Sequence, residues 1–250
     1  MMTEKMFLSH IDDLALSGAK RGFSTSKFLT SAQLEMIKLR YQNRKDIFFT
    51  YFGGFENAER QIAIFSNEEY SKQNYKHKLP ITALKLDHRV QDILTHRDVL
   101  GSVLALGIER DTIGDILIQA GQAYLVCLSV VSNYIMDNLQ TAGKVGLAIS
   151  EVQIDSLPER EEKYEIIQGT VPSLRLDAIV AFAFHLSREN AQQHIATGLV
   201  QLCHVQCTQP AKTVAEGSII SVRGHGRVRL IELGQLSKKG RQRVVMGRFI

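Results

Sequence analysis

Between residues 77 and 155 the apolar residues switch repeatedly between a two-residue and a helical period, and this rhythm constrains the fold more than any other feature of the chain. "ITALKLD" alternates as a half-buried strand does. "VQDILTHRDVLGSVLALG" carries a helical stripe through Ile93, Leu94, Val99, Val103 and Leu106. "DILIQAG" and "QAYLVCLS" read as two strands joined across Ala120-Gly121. "VVSNYIMDNLQTAG" reads as a helix that stops at Gly143, and "KVGLAISEV" closes the segment as a strand. The expected order is β-α-β-β-α-β.

That order is the split βαβ of ferredoxin-like and RNA-recognition (RRM-like) folds. It serves many functions, so order alone assigns none. An RNA-recognition motif stacks bases on aromatics of its inner strands. These strands offer only Tyr124, so no such platform is expected on them. Pro80, Pro158 and Pro172 look like joints, beside the polar "SNEEYSKQNYKHK" and around the charged "EREEKYEIIQGT". They divide the chain into 1–76, 77–155 and 172–250. The first segment reads as an α-rich domain. Leu34, Ile37 and Tyr41 fall at helical spacing behind a cap at Thr30 or Ser31, and a short aromatic strand and a Gly53-Gly54 turn follow. In the third, "SLRLDAIVAFAFHL" and "SRENAQQHIATG" read as two short helices, packed on a small twisted sheet made from "LVQLCHVQ" and "IISVRGHGRVRLIEL". The fold class expected for the whole is α+β.

Net charge is only +4, but it is unevenly spread. Residues 223–250 hold eight Lys/Arg and one acid, Glu232, while the remainder holds 22 basic and 25 acidic groups. A concentrated basic patch is the footprint of a polyanionic partner. No run of 18 apolar residues suggests a membrane span, and the first residues lack the apolar block of a secretory signal. Three cysteines fit a reducing, cytoplasmic setting better than a disulfide framework.

Three stretches resemble the S4 RNA-binding domain in order and spacing: "RLDAIV" (175–180), "SRENAQQHIATGLVQL" (187–202) and "AEGSIISVRGHGR" (215–227). With "FGGFENAERQIAIF" (52–65), "LGIERDTIGDILI" (106–118) and "SKKGRQRVVMGRF" (237–249), the chain is similar to the YlmH-like family of bacterial S4 proteins. Cyanobacterial and plastid relatives of that family go under the name photosystem II S4-domain protein. The resemblance implies a C-terminal S4 (αL-like) domain and an RNA-binding, non-enzymatic role without a cofactor. It further implies rRNA and tRNA as partners, on the large ribosomal subunit, in rescue of stalled nascent chains. The sequence departs from the pattern at Cys203-His204, where Asn is usual in a tight turn, at Gln192 and Gln193, where a base is common, and at His225, where an aromatic is common.

The residues themselves support a phosphate-binding surface. Arg175 and Arg188 stand near helix starts, where unpaired N–H groups and forked guanidinium donors suit phosphate oxygens. Ser187 can cap the second helix and Gly198 can end it. In "RGHGR", Gly224 and Gly226 allow a backbone to come close, Arg223 and Arg227 flank the gap, and the His225 imidazole can stack on a base. Gln192 lies in the second S4-like stretch, Lys212 in the turn after it and Arg229 two residues past the third, and Lys238, Lys239 and Arg241 extend the charge. If about five phosphates are neutralised, log K falls by roughly 3.5 to 4.5 per decade of salt.

Readings as an enzyme are weaker. "CHVQC" lacks the second ligand pair of a zinc site. "HRD" (96–98) has no glycine-rich ATP loop or D-F-G beside it. Asp12-Asp13 and Asp111/Asp115 read as caps and turns rather than paired catalytic acids, and "FGGF" lacks the G-K-[ST] of a phosphate loop. Asp177 belongs to the S4-like helix, not to a pseudouridine-synthase motif. The alternatives kept open are an RNA-modifying enzyme with an unrecognised site in 1–155, and a cell-division or photosystem-assembly factor.

Overall fold

The computed structural model describes residues 3–44, 46–67, 78–158 and 164–250, in two compact units, 1–160 and 161–250. Of the two stretches expected as joints, 66–78 lies almost wholly outside the described residues, and 159–170 is described only from residue 164.

The first unit opens with α1 (Glu4–Arg21), β1 (Phe23–Leu29), α2 (Ser31–Tyr41), β2 (Phe48–Phe52) and β3 (Gln61–Ser66). Thr30 caps α2 in a reciprocal box with Gln33. The expectation of an α-rich segment is corrected here, because β1, β3 and β2 form an antiparallel sheet in that order. The sequence hid β1 because "FSTSKFL" breaks its alternation at a bulge between Thr25 and Phe28. Ser26 fills the gap: its hydroxyl accepts from Ala63 N–H at 2.9 Å and donates to Lys27 O at 2.7 Å. "QIAIF" lacked a strand signature because nearly all of it is buried, on both faces. Helix α1 lies so close to β3 that a Cβ on Gly18 would stand 2.4 Å from the Phe65 carbonyl oxygen. Gly18→Ala is therefore expected to lower stability by about 2 kcal/mol in urea unfolding, since the obstruction is backbone and cannot swing away.

The middle of this unit follows as β4 (Ile81–Asp87), α3 (His96–Ala105), β5 (Ile113–Gln119), β6 (Gln122–Leu128), α4 (Ser129–Asn138), the short β7 (Thr141–Ala142) and β8 (Val145–Gly146), and β9 (Ala148–Val152). The four long strands make one antiparallel sheet in the order β5-β6-β4-β9. Both helices pack on one face, where Val99, Val103 and Ile135 meet Leu84, Leu86 and Leu125. Helix α3 starts later than its apolar stripe suggests. Thr95 and Asp98 form its capping box, which gives the "HRD" aspartate a structural task, while Ile93 stays exposed outside it. Helix α4 stops at Asn138, ahead of Gly143, because a two-residue hairpin intervenes and Gly143 (φ +59°) makes its turn.

On the other face of this sheet, Ile81, Val126 and Leu128 share a buried cluster with Phe28, Ile62 and Ile64 of the N-terminal sheet. That end of the face is thus covered. Asp115 locks the contact by accepting the backbone N–H groups of Glu59 (2.7 Å) and Arg60 (3.0 Å), and the Arg60 guanidinium donates to Ile113 O and Phe28 O. Asp12 is likewise engaged, by Arg40 and Tyr41, and Asp111 by Lys27.

The second unit is β10 (Tyr164–Val171), α5 (Leu176–Ala183), α6 (Arg188–Ala196), β11 (Val200–Leu202), β12 (Val205–Gln206), β13 (Ile219–Val222), β14 (Gly226–Leu236) and β15 (Gln242–Phe249). Its six-stranded antiparallel sheet has the order β10-β15-β14-β13-β11-β12. Strand β10 grows from a stretch whose charge reads as a joint. Its alternation is weak, and pairing with β15 along all eight residues holds it in place. The two helices cover one face, where Leu176, Ile179, Val180 and Ile195 pack on Val200, Ile220, Val228, Leu230, Val244 and Met246.

Candidate nucleic-acid interface

Helix α5 is apolar almost throughout, yet its second residue is Asp177, which is fully buried. A buried carboxylate needs partners. Arg175 supplies a bidentate pair at 3.1 and 3.0 Å, Gln192 donates from Nε2 at 2.8 Å, and Arg188 lies at 3.4 Å. Burial alone would push the Asp177 carboxyl up. The hydrogen bonds from Arg175, Gln192 and Arg188 outweigh it and hold the pKa at about 2. Two arginines on one carboxylate leave a net positive charge, and their side chains remain 42% and 50% exposed. The aspartate thus aims two cations outward from one point.

Lys212 stands beside this point and is exposed. Its carbonyl accepts from Leu176 N–H at 2.8 Å, and Pro210 O accepts from Asp177 N–H at 3.0 Å. The first N–H groups of α5 are therefore occupied, which corrects the expectation that this helix start offers them to anions. Helix α6 is capped by Ser187, which accepts from Asn190 N–H at 3.1 Å. It ends at Gly198 (φ +74°), where a Cβ would collide with the Gln206 side chain.

The glycine turn lies at the opposite end of α5. Gly224 (φ +84°) and Gly226 (φ +104°) both need the left-handed backbone, and no atom lies within 4 Å of where a Cβ would be. The turn is tied down by Arg223 N–H to Leu199 O (2.9 Å). The His225 ring meets His194 edge-on at 5.3 Å and Phe184 at 6.2 Å, so the turn packs on the ends of both helices. Gly198, Arg223, Gly224, Gly226 and Arg227 line a shared groove of about 600 Å³.

Of the remaining candidates only Arg227 also borders this groove. Strand alternation turns Arg227 and Arg229 to the sheet face away from the helices, where Arg227 lies 4.7 Å from the Phe249 ring centre. Lys238, Lys239 and Arg241 form the turn of the β14–β15 hairpin instead of a free tail, and Arg241 donates to Thr170 Oγ1 and O. Strand β14 has 11 residues, so at about 3.3 Å each that turn is about 30 Å from the glycine turn.

Sequence reasoning undervalued Asp177, whose signal was a lone acid in an apolar helix. It missed Tyr164 and Phe249 entirely, since nothing local links two residues so far apart. At the departure noted above, Cys203 (φ +49°) and His204 (φ +66°) fill both left-handed positions of the β11–β12 turn. Asn tolerates that backbone better, so Cys203→Asn is expected to raise stability by about 0.5 kcal/mol in thermal unfolding.

Residues 72–156 match the family described as "Putative RNA-binding domain in YlmH". The chain is 29% identical over 214 residues, 86% of its length and 83% of the relative's, to "Ribosome-associated protein quality control protein P2" of Bacillus subtilis (strain 168). Among solved structures, "Cell division protein ylmH from Streptococcus pneumoniae" aligns with a TM-score of 0.47 at 19% identity, over 59% of this chain and 86% of that one. The chain is thus similar to the YlmH-like family, through one matched domain and one relative aligned over most of its length.

Proposed function

We propose that the protein is a non-enzymatic RNA-binding protein that acts in the cytoplasm on the large ribosomal subunit, in the handling of stalled nascent chains. The second unit is read as an S4-type module that grips folded rRNA, with tRNA as a second ligand. The observation that carries this reading is the Asp177 node, which presents Arg175 and Arg188 half-exposed with Lys212 beside them. His225 of the glycine turn packs on the far end of the same helix pair, and Arg223 stands exposed in that turn. Folded RNA is recognised through its shape, phosphates and 2′-hydroxyls, which suits fixed guanidinium forks around a close-approach turn.

Residues 77–155 are read as a ferredoxin-like domain that contributes shape recognition more than charge. Residues 72–156 hold eight Lys/Arg against nine Asp/Glu, so phosphate attraction favours the second unit. Residues 1–76 are read as a further contact surface carried by the same unit. The ribosomal association of the Bacillus relative, carried in its name, supports the choice of partner. Among the carboxylates of residues 1–155 considered for acid–base work, Asp12, Asp111 and Asp115 have structural partners, which weighs against the modifying-enzyme reading.

The test is sedimentation of the full chain with ribosomal subunits from a lysate. Co-migration with the large subunit, lost on Arg188→Glu, is expected. Migration with neither subunit would refute the reading.

A further inference from the structure

The second unit has another face. Opposite the helices, the register lines up one row across all six strands. Gln206 pairs with Gln201, Gln201 with Ser221, and Ser221 with Arg227. Arg227 then reaches Phe249, which pairs with Tyr164. At about 4.8 Å per strand the row runs about 24 Å. None of these six side chains is buried.

Their chemistry is ordered along the row. At one end Tyr164 and Phe249 meet edge-to-face at 5.0 Å. Arg227 stands over Phe249 at 4.7 Å, and Arg229, one row further, lies 5.7 Å from Phe249 and 5.9 Å from Tyr164. Gly247 makes this cluster possible, since a Cβ there would lie 2.7 Å from the Tyr164 ring. At the other end the row becomes hydroxyl and amide, and Gln201, Gln206 and Ser221 line the groove that Gly198 and Arg223 rim. Among the described residues of this face, Arg227, Arg229 and Arg243 stand against one acid, Glu232, which pairs with Val245 away from the row.

Flat rings and guanidinium planes offer stacking surfaces to bases, amides and hydroxyls pair with base edges, and guanidinium groups can donate to backbone phosphates. A duplex keeps its bases stacked on one another and cannot use such a row, whereas a single strand can. We propose that this sheet face binds single-stranded RNA, about four nucleotides long, with bases stacked on Tyr164, Phe249 and the Arg227 and Arg229 planes and base edges met by Gln201 and Ser221. It is a second RNA contact, on the sheet face opposite the Asp177 node and bordering the glycine turn at its polar end, and rests on the RNA-binding reading only in the class of ligand.

The experiment uses the full chain and two fluorescent probes, an eight-nucleotide single-stranded oligoribonucleotide and a structured rRNA hairpin with no single-stranded overhang, followed by anisotropy. Phe249→Leu keeps apolar bulk but removes the ring, and Gln201→Ala changes only an exposed side chain. Each is expected to weaken single-strand binding by about tenfold, with hairpin binding within twofold of the parent. Arg227→Lys keeps charge without the planar fork and is expected to restore less than half of the lost affinity seen in Arg227→Ala. Arg188→Glu is expected to do the reverse, weakening the hairpin and sparing the single strand. The proposal is overturned if the parent does not bind the single strand. It is equally overturned if Phe249→Leu and Gln201→Ala, both folded by circular dichroism, bind it as the parent does, or if only Arg188→Glu affects it. Loss of hairpin binding alone in the parent would count against the helix-side reading and leave this face standing.

Discussion

Exchanging Arg188 and Arg223 for glutamate together is expected to weaken binding to a structured rRNA fragment by about 100-fold, because two charge-assisted contacts of about 1.5 kcal/mol each are lost. The same variant should flatten the salt dependence. The parent is expected to lose roughly 3.5 to 4.5 in log K per decade of salt, and each phosphate contact removed takes away about 0.7 to 0.9 of that slope. Affinity and slope must fall together. A fall in affinity with an unchanged slope would mean that the substitutions acted on folding and not on phosphate contact. The two arginines sit at opposite ends of the helix pair, Arg188 at the Asp177 node and Arg223 in the glycine turn. Their effects on binding free energy should therefore be close to additive, which single variants will check.

Asp177→Asn is expected to destabilise the second unit by about 2–3 kcal/mol, through loss of charge-assisted bonds to Arg175 and Arg188 in a fully buried position. For a unit of about 90 residues this lowers the unfolding midpoint by about 10 °C or more at pH 7. The pH dependence has a defined sign. The Asp177 carboxyl titrates at about 2 in the folded chain, below its unfolded value of about 3.9. Its contribution is fully present above the unfolded value and disappears as pH falls through about 2. The gap between parent and Asp177→Asn should stay constant from pH 7 to about 5 and narrow towards pH 2. A gap that stays constant to pH 2 would show that the charge of this carboxylate is not what holds the node together.

These expectations rest on features of unequal visibility in the sequence. The α2 cap was readable because Thr30 and Gln33 are three residues apart, and a capping box is a local device. The β-α-β-β-α-β order of residues 81–152 was readable for a similar reason, since each element buries one face and leaves a period of its own. Helix ends were less legible. The stripe through Ile93 continues past the real start of α3, because an apolar residue at the right spacing need not be packed, and Ile93 is 86% exposed. Of the N-terminal sheet only the aromatic β2 was legible. β1 interrupts its alternation with a bulge and β3 is buried on both sides, so neither presents a clean two-residue period.

The sequence alone determined the order of the main elements in residues 81–152 and the caps of α2 and α6. It also determined that the cations gather in the last part of the chain and that two glycines hinge the basic strand. Only the tertiary structure decided that Arg175, Arg188 and Gln192 meet on one buried carboxylate, that the C-terminal cations spread along a hairpin, and that Tyr164 and Phe249 share a sheet face with Arg227. The physical reason is range. Caps and periodicity are settled within a turn or a few residues, whereas the neighbour of a strand is chosen by pairing across the whole unit, and no local pattern records that choice.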